Sequence, residues 1–424
     1  MNQEYLFAEG LRILKAHRTN YSSKGPNHLA VLWWEWPELH WPELRLGASM
    51  NFMESPVPEK IPNSKMDTEL LAAAIVFVDE LISLKVLIPY PDELILNTFP
   101  LFLVPKPYQA GQYRTIADGK SGGQNDVCVA DPCHMTSPDH ILPYLYRNGF
   151  SATLDLSKYF HMFLTKPEEH KYMGITHPGT GAMHVFRTFA MGTRNSPGAS
   201  GRFGAALIRI IMDTSDLFKG VVVDNSIQQY FSRKVHHPKY GEGRILIGVV
   251  DGLPVVLLWL HVDDLLIHAP TRAKLTDALD HILNTIIRLG LICNYSKTNL
   301  PSQRVKFCGF VYDTSSTPTL CIPQNKVSRA IAITDYLLTG LTMSMSRLVV
   351  SMVTGFLQSL VPATPGNIGA TFLRPIYDDL HNMPLNSGHQ TKDDYFCAMN
   401  LSERSRLCLF WWIEALKLGL SKQS

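Results

Sequence analysis

The stretch LLWLHVDDLLIHAP, Leu257–Pro270, sets two adjacent carboxylates, Asp263 and Asp264, inside an apolar segment. Burying carboxylates is costly unless something compensates them. Neighbouring residues of a strand face opposite sides, so the two acids cannot both serve one face of a single strand. A tight turn between the arms LLWLHV and LLIHA resolves this by lifting both to a hairpin tip. Even at the tip they repel, by about 3 kcal/mol at ~5 Å and an effective dielectric of ~20. Divalent cations reverse that sign. Magnesium prefers carboxylate oxygen and keeps part of its shell for water and substrate phosphate. Two such ions about 4 Å apart clamp the attacking and leaving oxygens of a phosphoryl transfer.

That chemistry needs at least one more carboxylate, and the best candidate is Asp155 in SATLDLSKYFHMFLT, also a charge in a β-prone run. A second acidic pair, Asp378-Asp379 in RPIYDDLHN, has no β-rich arms and reads as a solvated helix face. Cys128, Cys133 and His134 are too loosely spaced for a zinc site, and no second Cys/His pair follows them.

The chain around these acids has 424 residues, 46% hydrophobic and 18% charged, as a globular protein does. Its formal net charge is only +2, so any nucleic-acid site must arise from local charge placement. No uninterrupted apolar run reaches the ~20 residues of a membrane span, and no membrane partner is expected. The opening MNQEYLFAEGLRILKAHR mixes acids and bases, so no signal peptide is expected. With seven cysteines, an odd number, a reducing intracellular location with free thiols is expected, cytoplasmic or nuclear.

Residues 1–95 carry no legible chemistry; WPEL occurs at Trp36–Leu39 and again at Trp41–Leu44, and such Trp-Pro clusters suit an extended arm. From Asn97, NTFPLFLVPKPYQAGQYRTIADG reads as a β-hairpin. Phe150–Leu156 and Tyr159–Phe163 read as short β-prone runs. Residues 199–213 and 273–289 have helical apolar spacing, and after Tyr312 the chain turns mostly helical. Mixed strands and helices first, helices last, predict an α+β fold with a helical annex.

The motifs, in their order, resemble those of a reverse transcriptase of a retrotransposon, of a divergent LTR or DIRS-type element. FLVPKPYQAGQYRTIAD is similar to the fingers hairpin and TLDLSKYFHM to the first catalytic palm motif. FRTFAMGTRNSPGASGRF, LHVDDLLIH, LGLICNYSKTNL and VKFCGFVYD resemble the palm motifs that follow. The resemblance covers about 97–312 well and the rest more weakly. It implies a right-hand polymerase: an extension over 1–95, fingers and palm over 96–312, and a helical thumb or connection over 313–424. It implies RNA-directed DNA polymerase activity, adding deoxynucleotides to a primer 3′-hydroxyl on an RNA or DNA template. RNase H and integrase or recombinase activities are expected elsewhere in such an element.

Position by position, the resemblance makes Asp155 and Asp263 the main ligands of two Mg2+ or Mn2+ ions, with Asp264 completing the set. Phe160 falls where an aromatic crowds the sugar 2′ position. Lys106 and Arg114 fall where the triphosphate is held, and Met191 and Gly192 beside the nucleotide. Ser196 and Pro197 would approach template and primer, as would the primer-supporting hairpin with Phe307, Cys308 and Gly309. Lys297 matches a lysine proposed to protonate departing pyrophosphate. Taken alone, Phe160 reads as a core aromatic, and Lys106, Arg114 and Lys297 as solvated cations.

There are departures from the pattern. His261 stands where Tyr or Phe is usual, Lys120 replaces an Arg, and a long insertion spans about 216–255. The alternative reading is a decayed copy that binds nucleic acid without polymerising. An RNA-dependent RNA polymerase is a further rival, and Phe160 argues against it.

Overall fold

The arms on either side of Asp263 pair as strands because their alternating and continuous apolar residues can be covered on both faces. The computed structural model describes residues 31–105, 111–129, 137–215, 217, 236–237, 241–242, 249–250, 253–254, 256–339, 345–382 and 396–424. Two compact units form: one from residues up to 135, 153–267 and 273–300, the other from 136–152, 268–272 and 301–424.

In the first unit, the Trp-Pro stretch is not an extended arm. It makes short 3-10 turns and helix α1, Trp41–Leu46. Trp36 is buried, donates its indole N–H to Leu289 O at 3.3 Å, and meets Phe163 and Phe203 edge-on. Helix α2, Thr68–Ser83, begins with Asp67 accepting from Leu70 N, the usual way to satisfy a free helix amide. Strand β1, Leu87–Pro89, follows. The hairpin expected from Asn97 forms as β2, Leu101–Pro105, against β3, Tyr113–Ala117.

Strand β4, Phe150–Asp155, has every residue after Phe150 buried. The run Tyr159–Phe163 is not a strand: Lys158 takes a positive φ of 54°, and Tyr159–Met162 coils into a 3-10 turn. Tyr159 then reaches Ser200 O with its hydroxyl at 3.1 Å. Strands β5, Gly174–Thr176, and β6, Met183–Phe186, join β1 in a three-stranded sheet of order β1-β6-β5. Helix α3, Ser196–Asp213, buries Phe203, Leu207, Ile210 and Ile211, the face its apolar spacing implies. At Gly204 α3 comes so close that a Cβ would run into Leu260.

Of the long insertion, the described residues form two short antiparallel pairs, His236–His237 with Gly241–Glu242 and Val249–Val250 with Leu253–Pro254. The opening stretch becomes β7, Leu257–His261, and β8, Asp264–Ala269. Helix α4, Arg272–Arg288, follows, then β9, Asn299–Ser302. The sheet order is β7-β8-β4-β9, so the strand carrying Asp155 lies beside the strand that begins with Asp264. Leu265, Leu266 and Ile267 are fully buried, worth roughly 1.5–3 kcal/mol each, which holds the acid-bearing hairpin in place.

The second unit has β10, Arg304–Phe307, β11, Phe310–Asp313, and β12, Thr319–Cys321. Helices α5, Gln324–Thr339, α6, Arg347–Gln358, α7, Arg374–His381, and α8, Glu403–Lys417, come next. Helices dominate after Tyr312 as expected. However, β13, Ser421–Gln423, returns to pair with β12 and completes a sheet of order β10-β11-β12-β13. The Asp378-Asp379 pair is only half solvated. Asp379 accepts from Ser402 N at 2.9 Å and Ser405 Oγ at 2.6 Å, fastening the start of α8. His268 is fully buried here between Tyr146 N and Ser151 Oγ, both at 2.8 Å, and burial lowers its pKa to about 3. No helix among the described residues is long and apolar enough to cross a membrane.

Candidate active site

A two-residue connection, Val262-Asp263, joins β7 to β8, and Val262 takes φ +59°. A β-branched residue in this left-handed region is strained by about 1–3 kcal/mol, and such strain persists only where the surroundings impose it. One imposing contact is visible: Leu156 N donates to Asp263 O at 2.7 Å, binding the tip to the end of β4. Asp155, Asp263 and Asp264 therefore meet, from a strand end, a turn and a strand start.

Their electrostatics show how closely they meet. Burial, and then the charge of Asp155, push the Asp263 carboxyl above its usual range, while Lys297 and Arg114 pull the other way. Asp264 is pushed up to about 7 by burial, by the charges of Asp263 and Asp155, and by a hydrogen bond with the Asp155 carboxyl. Asp155 is itself buried, at 7% exposure, and its Oδ2 receives Lys297 Nζ at 2.8 Å.

The backbone around Lys297 is tied to the same strand. Asn294 N donates to Asp155 O and Ser157 N to Ile292 O, each at 2.7 Å, and Lys297 N donates back to Asn294 O. Cys293, buried beside them, has its thiol pushed up to about 11, chiefly by burial. It is a packing residue.

The remaining candidates separate. Arg114 lies exposed on β3, near enough for its charge to act on Asp263, whereas Lys106 lies outside the described residues. Phe160 is the half-exposed member of its 3-10 turn, flanked by buried Tyr159 and His161. Met191 is 43% exposed, and its carbonyl accepts Ala117 N at 3.2 Å. Gly192 has φ +114°, and a Cβ there would collide with Ala117 O, so only glycine lets this loop lie against β3. Ser196 and Pro197 open α3, with Ser196 buried and donating to Ala190 O at 2.9 Å. Phe307, Cys308 and Gly309 belong to the second unit, where Cys308 (φ 48°) and Gly309 (φ 79°) close the β10–β11 hairpin.

Asn125 was not legible from the sequence. Its Nδ2 donates to Gly192 O at 3.0 Å and its Oδ1 accepts Arg194 N at 2.8 Å, clamping the glycine loop. It sits in SGGQNDV, a polar stretch with no apolar period to place it.

Three carboxylates without thiolate or imidazole make a donor set suited to a hard divalent cation. Among the described residues, no group of three or more His, Cys, Asp or Glu side chains is gathered round a common point for a metal ion. Asp155 is engaged instead by Lys297, 2.8 Å from its Oδ2, and burial with the charges of Asp263 and Asp155 holds the Asp264 carboxyl above its usual range. The chemistry of the set, three carboxylates, fits such a cation.

No family model matches the chain, and no curated protein matches it in sequence. It does resemble solved structures. The foamy viral protease-reverse transcriptase in its dRH form with double-stranded DNA shares 16% identity at a TM-score of 0.60, over 87% of this chain and 51% of that one. The same foamy viral protein in complexes with double-stranded DNA and with an RNA/DNA hybrid gives TM-scores of 0.59 and 0.57. Each of these covers 88% of this chain at 16% identity, and 62% and 40% respectively of the other chain. This chain thus spans about half the length of the first of them. The likeness is one of fold: the chain has a reverse-transcriptase-like fold.

Proposed function

We propose that the chain is an RNA-directed DNA polymerase of a retroelement, with an extension over 1–95, fingers and palm over 96–312 and a thumb or connection over 313–424. The observation that carries this reading is the meeting of Asp155 with Asp263 and Asp264, more than a hundred residues apart in sequence, beside Lys297. The reverse-transcriptase-like fold supports it, and the foamy viral proteins of that fold are described with double-stranded DNA and RNA/DNA hybrid.

In this reading Asp155, Asp263 and Asp264 hold two Mg2+ or Mn2+ ions. The ions supply charge stabilisation for attack of a primer 3′-hydroxyl on the α-phosphate of a deoxynucleotide. Arg114, exposed on β3, offers a planar fork to the triphosphate, with Lys106 as a second cation. Phe160 rejects a ribose 2′-hydroxyl by collision. Met191 and Gly192 lie against the nucleotide, with Asn125 keeping that loop in shape. Lys297 releases Asp155 and gives its proton to departing pyrophosphate. Ser196 and Pro197 shape the template–primer floor through α3, and the hairpin with Phe307, Cys308 and Gly309 supports the primer strand.

The test is dNTP incorporation on a primed RNA template with Mg2+ or Mn2+, for wild type and Asp263→Asn. Expected is template-dependent extension that the substitution abolishes while circular dichroism stays unchanged. Extension surviving in Asp263→Asn removes that acid from the mechanism; duplex binding without extension by wild type leaves only the nucleic-acid-binding part.

A further inference from the structure

The short turn that carries Phe160 has little of its own to hold it in shape. Tyr159–Met162 makes a single 3-10 turn, entered through Lys158 at φ 54°. Among its backbone bonds are His161 N to Lys158 O at 2.9 Å and Phe163 N to Phe160 O at 3.5 Å. Hydrogen bonds of this class have poor geometry, and one turn gains no cooperative support from a next one. The direction of the half-exposed Phe160 side chain is therefore set by the residues on either side of it.

Both neighbours are buried anchors. His161, its pKa lowered to about 4 chiefly by burial, is neutral and donates from Nδ1 to Phe189 O at 3.0 Å. Tyr159 is fully buried, meets Phe163 edge-on with ring centroids 5.1 Å apart, and donates its hydroxyl to Ser200 O at 3.1 Å. Ser200 lies inside α3, where carbonyls accept amides of the helix itself, so α3 holds together without this bond. The turn gains more from it. Gly204, one turn further along α3, leaves the room: a Cβ there would stand 3.2 Å from the Tyr159 hydroxyl oxygen and run into Leu260 of β7. Burial, and then the charge of Asp263, raise the phenol pKa, so the hydroxyl stays protonated and able to donate.

We propose that Tyr159 is a positioning residue for nucleotide selection: its hydroxyl, bound to Ser200 O, fixes the turn on α3 and with it the place of the Phe160 ring. Tyr159 touches neither nucleotide nor metal in this assignment and acts through Phe160. The proposal rests on the polymerase reading above, in which Phe160 faces the sugar 2′ position.

The experiment measures kcat and KM for a dNTP and the matching rNTP on a primed RNA template. The proteins are wild type, Tyr159→Phe, Phe160→Val, the double variant of these two, and Tyr172→Phe. Phenylalanine at 159 keeps the ring against Phe163 and removes only the oxygen. Tyr159→Phe should lower the ratio of dNTP to rNTP kcat/KM by about threefold to tenfold, the factor that one neutral hydrogen bond commands. The double variant should discriminate as Phe160→Val alone does, because the hydroxyl then has no ring to position. Tyr172→Phe deletes a comparable bond in the same unit, from its hydroxyl to Ser55 Oγ at 3.1 Å, and should discriminate as wild type does. Should Tyr159→Phe fail to fold, Gly204→Ala, which crowds the same hydroxyl from α3, takes its place with the same expectation. Discrimination equal to wild type in the 159 variant, or a double variant unlike Phe160→Val, overturns the positioning role and leaves the polymerase reading standing. A wild type that incorporates no dNTP overturns both.

Discussion

Lys297 Nζ lies 2.8 Å from Asp155 Oδ2, across 142 residues of sequence. Asp155 is almost buried, while the lysine side chain is 63% exposed and can swing away. The protein alone thus compensates one of its three acids with its own cation. In the proposed reading, a divalent ion at Asp155 would compete with that cation for Oδ2.

Lys297→Met should therefore bind Mn2+ more tightly than wild type in the absence of nucleotide. An increase of about fivefold or more is expected, read from the electron paramagnetic resonance of free Mn2+, since an adjacent positive charge opposes a cation. Nucleotide incorporation should slow at the same time, by roughly 10²-fold if the lysine also donates a proton. Equal Mn2+ affinity in the two proteins would mean that the ion pair does not compete.

Asp264 gives the metal-free protein a pH-dependent stability. Its folded-state pKa is raised to about 7, so between the ordinary carboxylate range and pH 7 the folded state holds a proton that the unfolded chain has released. Stability from this group is greatest at low pH and declines as pH rises through 7. Buried His268, lowered to about 3, and His161, lowered to about 4, work in the opposite direction, costing stability as pH falls below about 6.5. The difference between wild type and Asp264→Asn isolates the acid. In EDTA, the urea midpoint of Asp264→Asn should gain on wild type from pH 5.5 to pH 8; parallel midpoints would place no shifted acid at 264.

Val262→Gly removes the side chain that makes φ +59° costly. Glycine forfeits about 0.5–1 kcal/mol of chain entropy but releases about 1–3 kcal/mol of strain. The net expectation is a stabilisation of roughly 1 kcal/mol, seen as a melting temperature higher by about 2–4 °C. A lower melting temperature would show that the valine side chain contributes more by packing than its backbone costs.

Phe160→Val opens space beside the proposed sugar position. The ratio of dNTP to rNTP incorporation should fall by at least about tenfold, the smaller end of what a lost steric contact commands. The half-exposed position of Phe160 makes folding of this variant straightforward. Discrimination equal to wild type would return Phe160 to an ordinary aromatic.

Several features were legible from neighbouring residues alone. The apolar arms around Asp263 and Asp264 specify a hairpin, the alternation from Phe102 to Ile116 specifies another, and the spacing of Leu275, Leu279, Ile282 and Ile286 specifies a helix face. Local pattern failed where a distant partner decided. Tyr159–Phe163 has strand-like composition but coils, because Lys158 turns the chain and Tyr159 finds Ser200. Asp379 looked solvated, but the start of α8 uses it as an acceptor.

The sequence by itself determined which segments bury themselves and at which points they carry charge, since apolar periodicity and a carboxylate inside an apolar run are properties of adjacent residues. Only the tertiary structure decided that Asp155 meets Asp263 and Asp264, that Lys297 pairs with Asp155, that Asn125 clamps the Gly192 loop, and that Lys326 lies against Gly309. Those pairings join residues that are remote along the chain. Their energies depend on the burial and distance that folding creates, and no local pattern encodes them.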